Sequence, residues 1–226
     1  MSENKVCIVY LDKNRFDFHG GAVAGTATCV FPPEVVFDME VKHRPAFRSH
    51  IQSFLSVNKI SPSKILVILS PSLCFENLHS PQAQLEGNTT IKNFIETVPF
   101  EQVAYRTYKT QKGLLTICTN ASFIEALKAE LSSFGHFILA IIPATMLGIQ
   151  HNQTGLDVKT AQTLSENALS SAALDITTEV AKMETPARKE APLESLVKNR
   201  RLIILLSVLL VLTIILILVL KNAAFI

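Results

Sequence analysis

The feature that most constrains this chain is an unbroken apolar run near its C-terminal end. Residues 202–220 read LIILLSVLLVLTIILILVL, and only one serine and one threonine interrupt the aliphatic side chains. A helix of this length spans about 28 Å, close to the roughly 30 Å thickness of the hydrocarbon core of a bilayer. A buried core helix is the less favoured interpretation, because soluble helices of this length carry a polar face. The run therefore predicts a transmembrane helix over residues 200–221, with Leu202, Leu210 and Leu220 as anchor residues.

The charges that flank this run predict its orientation. Lys198, Arg200 and Arg201 precede it, whereas Lys221 follows it. Because segments rich in lysine and arginine tend to stay on the cytoplasmic side, we expect the N-terminal part to face the cytoplasm. The first residues lack the apolar core and the small-residue cleavage site of a signal peptide. We therefore expect a single-pass protein of the inner (plasma) membrane with a cytoplasmic N-terminal domain.

Composition argues against a nucleic-acid partner and for buried free thiols. The 21 basic and 19 acidic residues give a net charge of +2, which is too balanced for a nucleic-acid-binding surface. The absence of tryptophan and the presence of only three tyrosines leave few side chains on which bases could stack. The four cysteines form no CxxC pair and lie in apolar segments. This pattern is typical of buried free thiols in a reducing compartment.

The pattern of apolar residues predicts an α/β fold. Helices alternate with hairpins and buried strands, which indicates a mixed sheet covered by helices. Ser122 and Glu125 fit a capping box at the start of one helix, and Gly135 fits its C-terminal cap. Strands are predicted at 5–11, 16–19, 22–31, 35–41, 64–69, 102–108, 114–119 and 136–142, and helices around 45–55, 91–95 and 122–134.

The same patterns predict how the chain is divided. Between Asp157 and Met183 apolar residues recur at helical spacing, and the segment that follows them is charged and contains proline. We expect an α/β domain at 1–145 with a small inserted subdomain around 73–120, a helical extension at 146–183, a linker at 184–199, the transmembrane helix at 200–221 and a short tail at 222–226.

Local motifs for catalysis or metal binding are incomplete. The segment at 20–25, GGAVAG, has the glycine spacing of a phosphate loop, but Thr26 and Ala27 replace the required lysine and hydroxyl residue. The six histidines and four cysteines lack the spacing of a zinc site. Asp38 and Glu40 are expected to share one face of a strand, where a solvated edge is favoured over paired acid and base catalysis. No catalytic, cofactor-binding or metal-ligating residue is predicted.

Three stretches carry a resemblance to a known family. They are FPPEVVFDMEV at 31–41 with the helix and strand that follow it, VPFEQV at 98–103 with the hairpin that follows it, and the strand, helix, glycine and strand between 114 and 142. Together they resemble the PilM-type actin-like pilus assembly proteins and the cytoplasmic part of GspL, a related secretion-platform component. The resemblance covers about residues 4–145. It implies a partial actin-like (ribonuclease-H-like) fold.

The chain departs from this family at the nucleotide site. Nucleotide-binding members open with a D-x-G-x-x-x-x-K phosphate hairpin, which corresponds to residues 8–15 here. Val9 lies at the position of the acid, and Leu11 lies at the position of the first glycine. The acid holds a metal and the glycine lets a phosphate approach the backbone. The apolar run also begins before a second full lobe could be completed. We therefore expect no tight nucleotide binding, no cofactor and no enzymatic activity.

The resemblance and the apolar run together predict a function. We expect a non-catalytic, membrane-anchored scaffold, or pseudo-ATPase, of a type IV pilus or type II secretion-like inner-membrane platform. Its expected partners are the lipid bilayer and platform proteins, which tethering holds at a high effective concentration. Contacts are expected at the polar stretch 79–90 and at the strand edges of the two hairpins. The alternatives are a tail-anchored adaptor unrelated to pili and a degenerate membrane-anchored nucleotide-dependent enzyme.

Overall fold

A computed structural model describes residues 6–80, 89–149 and 155–182 of the chain. Among these residues, no helix combines the length and the apolarity that crossing a bilayer requires. The predicted linker, transmembrane helix and tail lie outside the described residues, as do the side chains named for anchoring and orientation: Leu202, Leu210, Leu220, Lys198, Arg200 and Arg201.

Strands and helices alternate along the described chain. The strands are β1 (Cys7–Asp12), β2 (Arg15–Gly20), β3 (Val23–Val30), β4 (Val36–Phe37), β5 (Glu40–Val41), β6 (Lys64–Leu69), β7 (Phe75–His79), β8 (Gln102–Thr110), β9 (Gly113–Asn120), β10 (Phe137–Pro143) and β11 (Glu179–Lys182). The helices are α1 (Arg44–Val57), α2 (Thr89–Thr97), α3 (Ala121–Ser133), α4 (Val158–Glu166) and α5 (Ala168–Ser171).

The central sheet has the strand order β10-β6-β1-β2-β3. Strands β10, β6 and β1 are parallel, whereas β2 and β3 are antiparallel to their neighbours. The two innermost parallel strands, β1 and β6, are buried on both faces, which explains their continuous apolar sequences. The predicted mixed α/β sheet is confirmed.

Helices cover both faces of the central sheet. On one face, α1 buries its predicted apolar side, including Phe47 and Phe54, against β2 and β3. The ring of Phe54 meets the ring of Phe16 edge to face, with 4.9 Å between the ring centres. On the other face, Ile8 and Tyr10 of β1 pack in a second apolar cluster with Ala161 of α4 and residues of α5. The chain therefore forms a helix–sheet–helix sandwich with an aromatic core on one side.

A second, antiparallel sheet has the order β11-β8-β9-β7. Helix α2 packs on it through Ile91 and Ile95, which join Val103, Leu114 and Cys118 in a separate apolar cluster. Except for β11, this sheet is built from the chain between β6 and α3. The domain boundaries drawn from the sequence stay a prediction.

The single strand predicted at 35–41 is wrong. The segment forms two short paired strands, β4 and β5, joined by a turn. Asp38 and Met39 occupy the turn with positive φ angles of 46° and 62°, as in the tight turns that suit twisted hairpins. Asp38 and Glu40 therefore do not share one face of a strand. Asp38 instead lies 4.0 Å from the amine of Lys13 in an exposed ion pair.

The N-cap of α3 lies two residues before the predicted Ser122, whereas the predicted end of the helix at Gly135 is confirmed. Asn120, not Ser122, is the N-cap: its side-chain oxygen accepts hydrogen bonds from the amides of Ser122 and Phe123 at 3.0 and 3.3 Å. Asparagine is among the preferred N-cap residues because its short side chain reaches these amides. Gly135 follows the helix with a φ of 86°, a conformation in which glycine meets no steric penalty.

The segment from Asp157 onward, where apolar residues recur at helical spacing, is not one continuous helix in the structure. Helix α4 ends at Glu166, and the side-chain amide of the C-cap residue Asn167 donates a hydrogen bond to the carbonyl of Thr163 at 2.9 Å. A short α5, two single 3-10 turns and strand β11 follow. The apolar side of this segment consists mainly of alanines, which bury little apolar area. Contacts with the two sheets therefore determine its conformation more than its helical spacing does.

Candidate functional site

The carboxyl ends of β1 and β6 meet at the edge where open α/β sheets bind ligands. Asp12 ends β1, and Ser70 and Ser72 follow β6. The Oδ1 atom of Asp12 accepts a hydrogen bond from Ser70 Oγ at 3.0 Å, another from Ser72 Oγ, and a third from the amide of Lys13 at 2.8 Å. This oxygen is therefore surrounded by donors from the protein itself.

Asp12 is held in its ionised form. Burial raises its pKa, but the hydrogen bonds from Ser72, the Lys13 amide and Ser70 outweigh burial and hold the pKa below its usual value of 3.8. The turn that follows, Lys13 and Asn14, contains no glycine. The described residues contain no cluster of three or more histidine, cysteine, aspartate or glutamate side chains suited to a metal ion.

Sequence reasoning missed Asp12. It assigned the position of the acid to Val9 and that of the first glycine to Leu11, but both side chains are fully buried inside β1. Asp12, three positions after Val9, is the residue that ends the strand. The signal was the polar turn that begins directly after the apolar strand.

A groove of about 730 Å³ lies at the other end of β1, between the turn joining β2 to β3 and helix α4. Gly20, Gly21 and Gly25 line one side, and Gln162 and Glu166 line the other. These glycines belong to the segment that resembles a phosphate loop in spacing. The structure shows them in a hairpin turn and an edge strand.

His19 lines this groove and is only 4% exposed. Its Nδ1 lies 3.2 Å from Thr26 Oγ1, whereas its Nε2 has no hydrogen-bond partner in the described part of the chain. Burial lowers the pKa of His19, and the carboxylates of Asp17 and Asp157 oppose this effect without cancelling it. The imidazole is therefore neutral at pH 7. A buried polar atom without a partner costs about 1–3 kcal/mol, so Nε2 marks a polar position left unfilled by its neighbours.

The free cysteines are buried or half-buried, as their apolar context predicts. Cys7, Cys29 and Cys118 are buried, and Cys74 is half-buried. Burial raises the pKa of Cys7, and it raises that of Cys29 and Cys118 to about 12. A thiol with a raised pKa is a poor nucleophile at neutral pH, so these residues act as small apolar side chains.

The predicted contact regions are the strand edges of the two hairpins and the polar stretch 79–90, and they differ in how accessible they are in the structure. Strand β3 of the first hairpin is an outer strand of the central sheet. In the second hairpin, β9 is paired on both sides, and β8 pairs with β11 over Gln102–Tyr105, so β11 already occupies half of the expected β8 edge. Of the polar stretch 79–90, residues 81–88 lie outside the described residues. His79 is buried, with its ring against Phe94, and 89–90 begin α2.

Comparison with known proteins finds solved structures that are similar to this chain at low sequence identity. No model of a protein family and no curated protein sequence matches the chain. A structure of a PilM–PilN type IV pilus biogenesis complex is 13% identical with a TM-score of 0.43, over 64% of this chain and 49% of that chain. The cytoplasmic domain of EpsL, an inner membrane component of the type II secretion system of Vibrio cholerae, is 11% identical with a TM-score of 0.39, over 62% of this chain and 57% of that chain.

A third similar structure is a Bacteroides thetaiotaomicron protein with an actin-like ATPase fold. It is 11% identical with a TM-score of 0.32, over 61% of this chain and 53% of that chain. The chain thus spans about half the length of each of these solved structures.

Proposed function

We propose that this protein is a non-catalytic scaffold of a type IV pilus or type II secretion-like platform in the inner membrane. The apolar segment 202–220 anchors it, and the α/β domain holds partner proteins on the cytoplasmic side. The observation that carries the proposal is this segment of 19 residues with its cluster of basic residues on the N-terminal flank. Anchoring raises the effective concentration of partners at the membrane surface, so binding alone gives the protein a function.

The strand order supports the actin-like form of the proposal. Three consecutive antiparallel strands, β1 to β3, are followed by β6 and β10, which add in parallel on the far side of β1. Helix α1 connects the two groups and covers one face. This is the arrangement expected for one half of an actin-like (ribonuclease-H-like) core.

The chemistry around Asp12 supports the non-catalytic part. Three protein donors converge on one oxygen of its carboxylate. The residues of the adjacent turn, Lys13 and Asn14, carry Cβ atoms where a phosphate-binding turn has glycine. A nucleotide would have to displace the serine hydroxyls and reshape the turn, so tight binding is not expected.

The direct test is the set of proteins that copurify with the full chain from detergent-solubilised membranes. The proposal predicts pilus or secretion-platform subunits, identified by mass spectrometry, in amounts comparable to the bait. Recovery of a membrane-bound chain without them would favour the adaptor unrelated to pili. Titration of residues 1–190 with ATP tests the non-catalytic part: we expect no binding, and micromolar affinity would favour the nucleotide-dependent enzyme.

A further inference from the structure

We propose that the outer edge of β3 accepts an extended segment of a partner protein as an added strand, and that a lysine or arginine of this segment enters the groove beside Glu166. The inference rests on the proposed scaffold function, because it specifies the chemistry of a partner. It uses the groove lined by His19 and the polar side of α4, which the fold leaves beside the start of β3.

The edge of β3 carries none of the charged or proline residues that commonly block strand pairing. Its sequence, VAGTATCV, contains neither type of residue over eight positions. Thr26, Thr28 and Val30 are exposed on alternate positions, and Val30 is 57% exposed. Pairing with β2 is regular from Thr26 to Val30, and no strand of the described ranges pairs with the other side. This segment therefore presents backbone groups in the geometry that an added strand needs.

At the opposite edge of the same sheet, formed by β10, a side chain occupies a backbone donor. There the amide of Ile141 in β10 donates a hydrogen bond to Oδ1 of Asp175 at 3.0 Å. A carboxylate on an edge amide occupies the group that an incoming strand would use. The contrast between β10, whose edge amide is occupied, and β3, whose outer side pairs with no strand of the described residues, directs strand addition to one side of the sheet.

The groove next to β3 defines the chemistry of the occupant. Glu166 is the charged residue among its lining positions within the described chain, and no lysine or arginine stands with it there. Its carboxylate accepts one hydrogen bond, from Gln162 at 3.2 Å, and stays exposed. His19, buried with an unpartnered Nε2, adds a second polar group. A cationic side chain with several N–H donors complements this lining.

A second copy of this chain fits the groove less well than a different partner. The side chains of β3 are small and uncharged. Antiparallel pairing of two β3 strands would therefore place no long cationic side chain of β3 beside Glu166. A partner segment with alternating apolar and polar residues and one central basic residue satisfies both the edge and the groove.

The experiment uses the full chain in detergent micelles and two fluorescein-labelled heptapeptides, VTVKVTV and VTVEVTV. Binding is measured by fluorescence anisotropy. We expect the lysine peptide to bind at least about tenfold more tightly than the glutamate peptide. Glu166→Lys is expected to reverse this order. Glu125→Lys is the matched control, because Glu125 is an exposed glutamate on α3 that pairs with Lys128 away from the groove. It is expected to leave the preference unchanged.

N-methylation of the lysine peptide tests strand addition itself. Methyl groups on alternate backbone nitrogens remove the donors of one edge of the peptide, so one of the two possible methylated peptides should lose binding by at least about tenfold and the other should retain it. Equal affinity of both methylated peptides would show that no strand is added. Equal affinity for the lysine and glutamate peptides, absence of binding, or dimerisation of the chain that excludes both peptides would also overturn the inference.

The scaffold proposal is tested separately, on the membranes from which the chain is solubilised. A chain that stays in the membrane but does not distinguish the peptides contradicts only the inference about β3. A chain that distinguishes the peptides but is released from membranes without detergent contradicts only the anchoring.

Discussion

The carboxylate of Asp175 accepts a hydrogen bond from the backbone amide of Ile141 at 3.0 Å. This bond joins the segment between α5 and β11 to the edge of the central sheet. The same carboxylate accepts two hydrogen bonds from Thr177, one from the backbone amide at 3.2 Å and one from the side-chain hydroxyl at 2.9 Å. Asp175 thus stabilises the local turn and also provides the acceptor for a backbone N–H on the edge of β10. Because a buried or half-buried amide without a partner is unfavourable, this contact stabilises the position of the segment that follows α5.

Asp175→Ala is expected to lower the free energy of unfolding by about 1–3 kcal/mol, because it leaves the Ile141 amide without its acceptor. Asp175→Asn keeps a carbonyl oxygen at this position and is expected to lose less. Urea denaturation of residues 1–190 measures both effects. Equal stability of the alanine and asparagine variants would show that the hydrogen bond to Ile141 is unimportant.

Phe16→Ala is expected to lower the free energy of unfolding by about 3–5 kcal/mol. Phe16 is fully buried, and its ring contacts those of Phe31 and Phe54, so truncation leaves a cavity that the surrounding rings cannot fill. Val57→Ala is the control, because Val57 is 79% exposed at the end of α1. Urea denaturation should show little change for the control; a similar loss in both variants would argue against the aromatic core.

Gly135→Ala is expected to destabilise the domain by about 1–2 kcal/mol, the range for an L-residue in the left-handed region. The φ of Gly135 is 86°, and an added Cβ would lie 3.2 Å from Cγ of Pro62. Gly148→Ala is a useful comparison, because Gly148 also has a positive φ, of 72°, but a Cβ there would meet open space. Thermal unfolding should therefore show the larger decrease in Tm for Gly135→Ala, and the reverse order would contradict the close packing against Pro62.

Stability is expected to decrease as the pH falls below about 6.5. Burial lowers the pKa of His19 and of His136 from the usual 6.5, so the unfolded chain binds protons at a pH where the folded chain does not. Above about pH 6.5 both states are neutral at these positions and the effect is absent. His19→Gln should reduce the slope of the free energy of unfolding between pH 6.5 and the lower folded-state pKa. An unchanged slope would contradict the burial of a neutral imidazole.

Local patterns predicted the central elements of the fold well. The continuous apolar sequence KILVIL identified β6, because a strand covered on both faces needs no polar side. The spacing of Phe47, Ile51 and Phe54 identified α1, because these residues share one face of a helix. Gly135 identified the end of α3. In each case the information lies within a few residues of the chain.

Contacts between distant segments could not be predicted. The pairing of β11 with β8 and the hydrogen bond from Ile141 to Asp175 join residues far apart in sequence. The turn at Asp38 and Met39 was missed because both residues adopt positive φ without glycine.

The site around Asp12 also depends on contacts between segments that are distant in the sequence. Ser70 lies 58 residues after Asp12, and the two side chains meet only because β1 and β6 pair in parallel with Leu11 opposite Leu69. In the sequence, Asp12 only begins a polar stretch after an apolar strand, and nothing there links it to Ser70. The groove beside α4 likewise depends on how the C-terminal part of the described chain packs against β2, which no local pattern records.

Membrane extraction tests the central claim most directly. Membranes from cells that produce the full chain are washed with alkaline carbonate, and the chain is then followed into the pellet and through flotation with lipid. Deletion of residues 202–220 provides the matched control. The account predicts that the full chain stays with the lipid until detergent is added, and that the deletion variant is released. Release of the full chain in soluble form without detergent would contradict it.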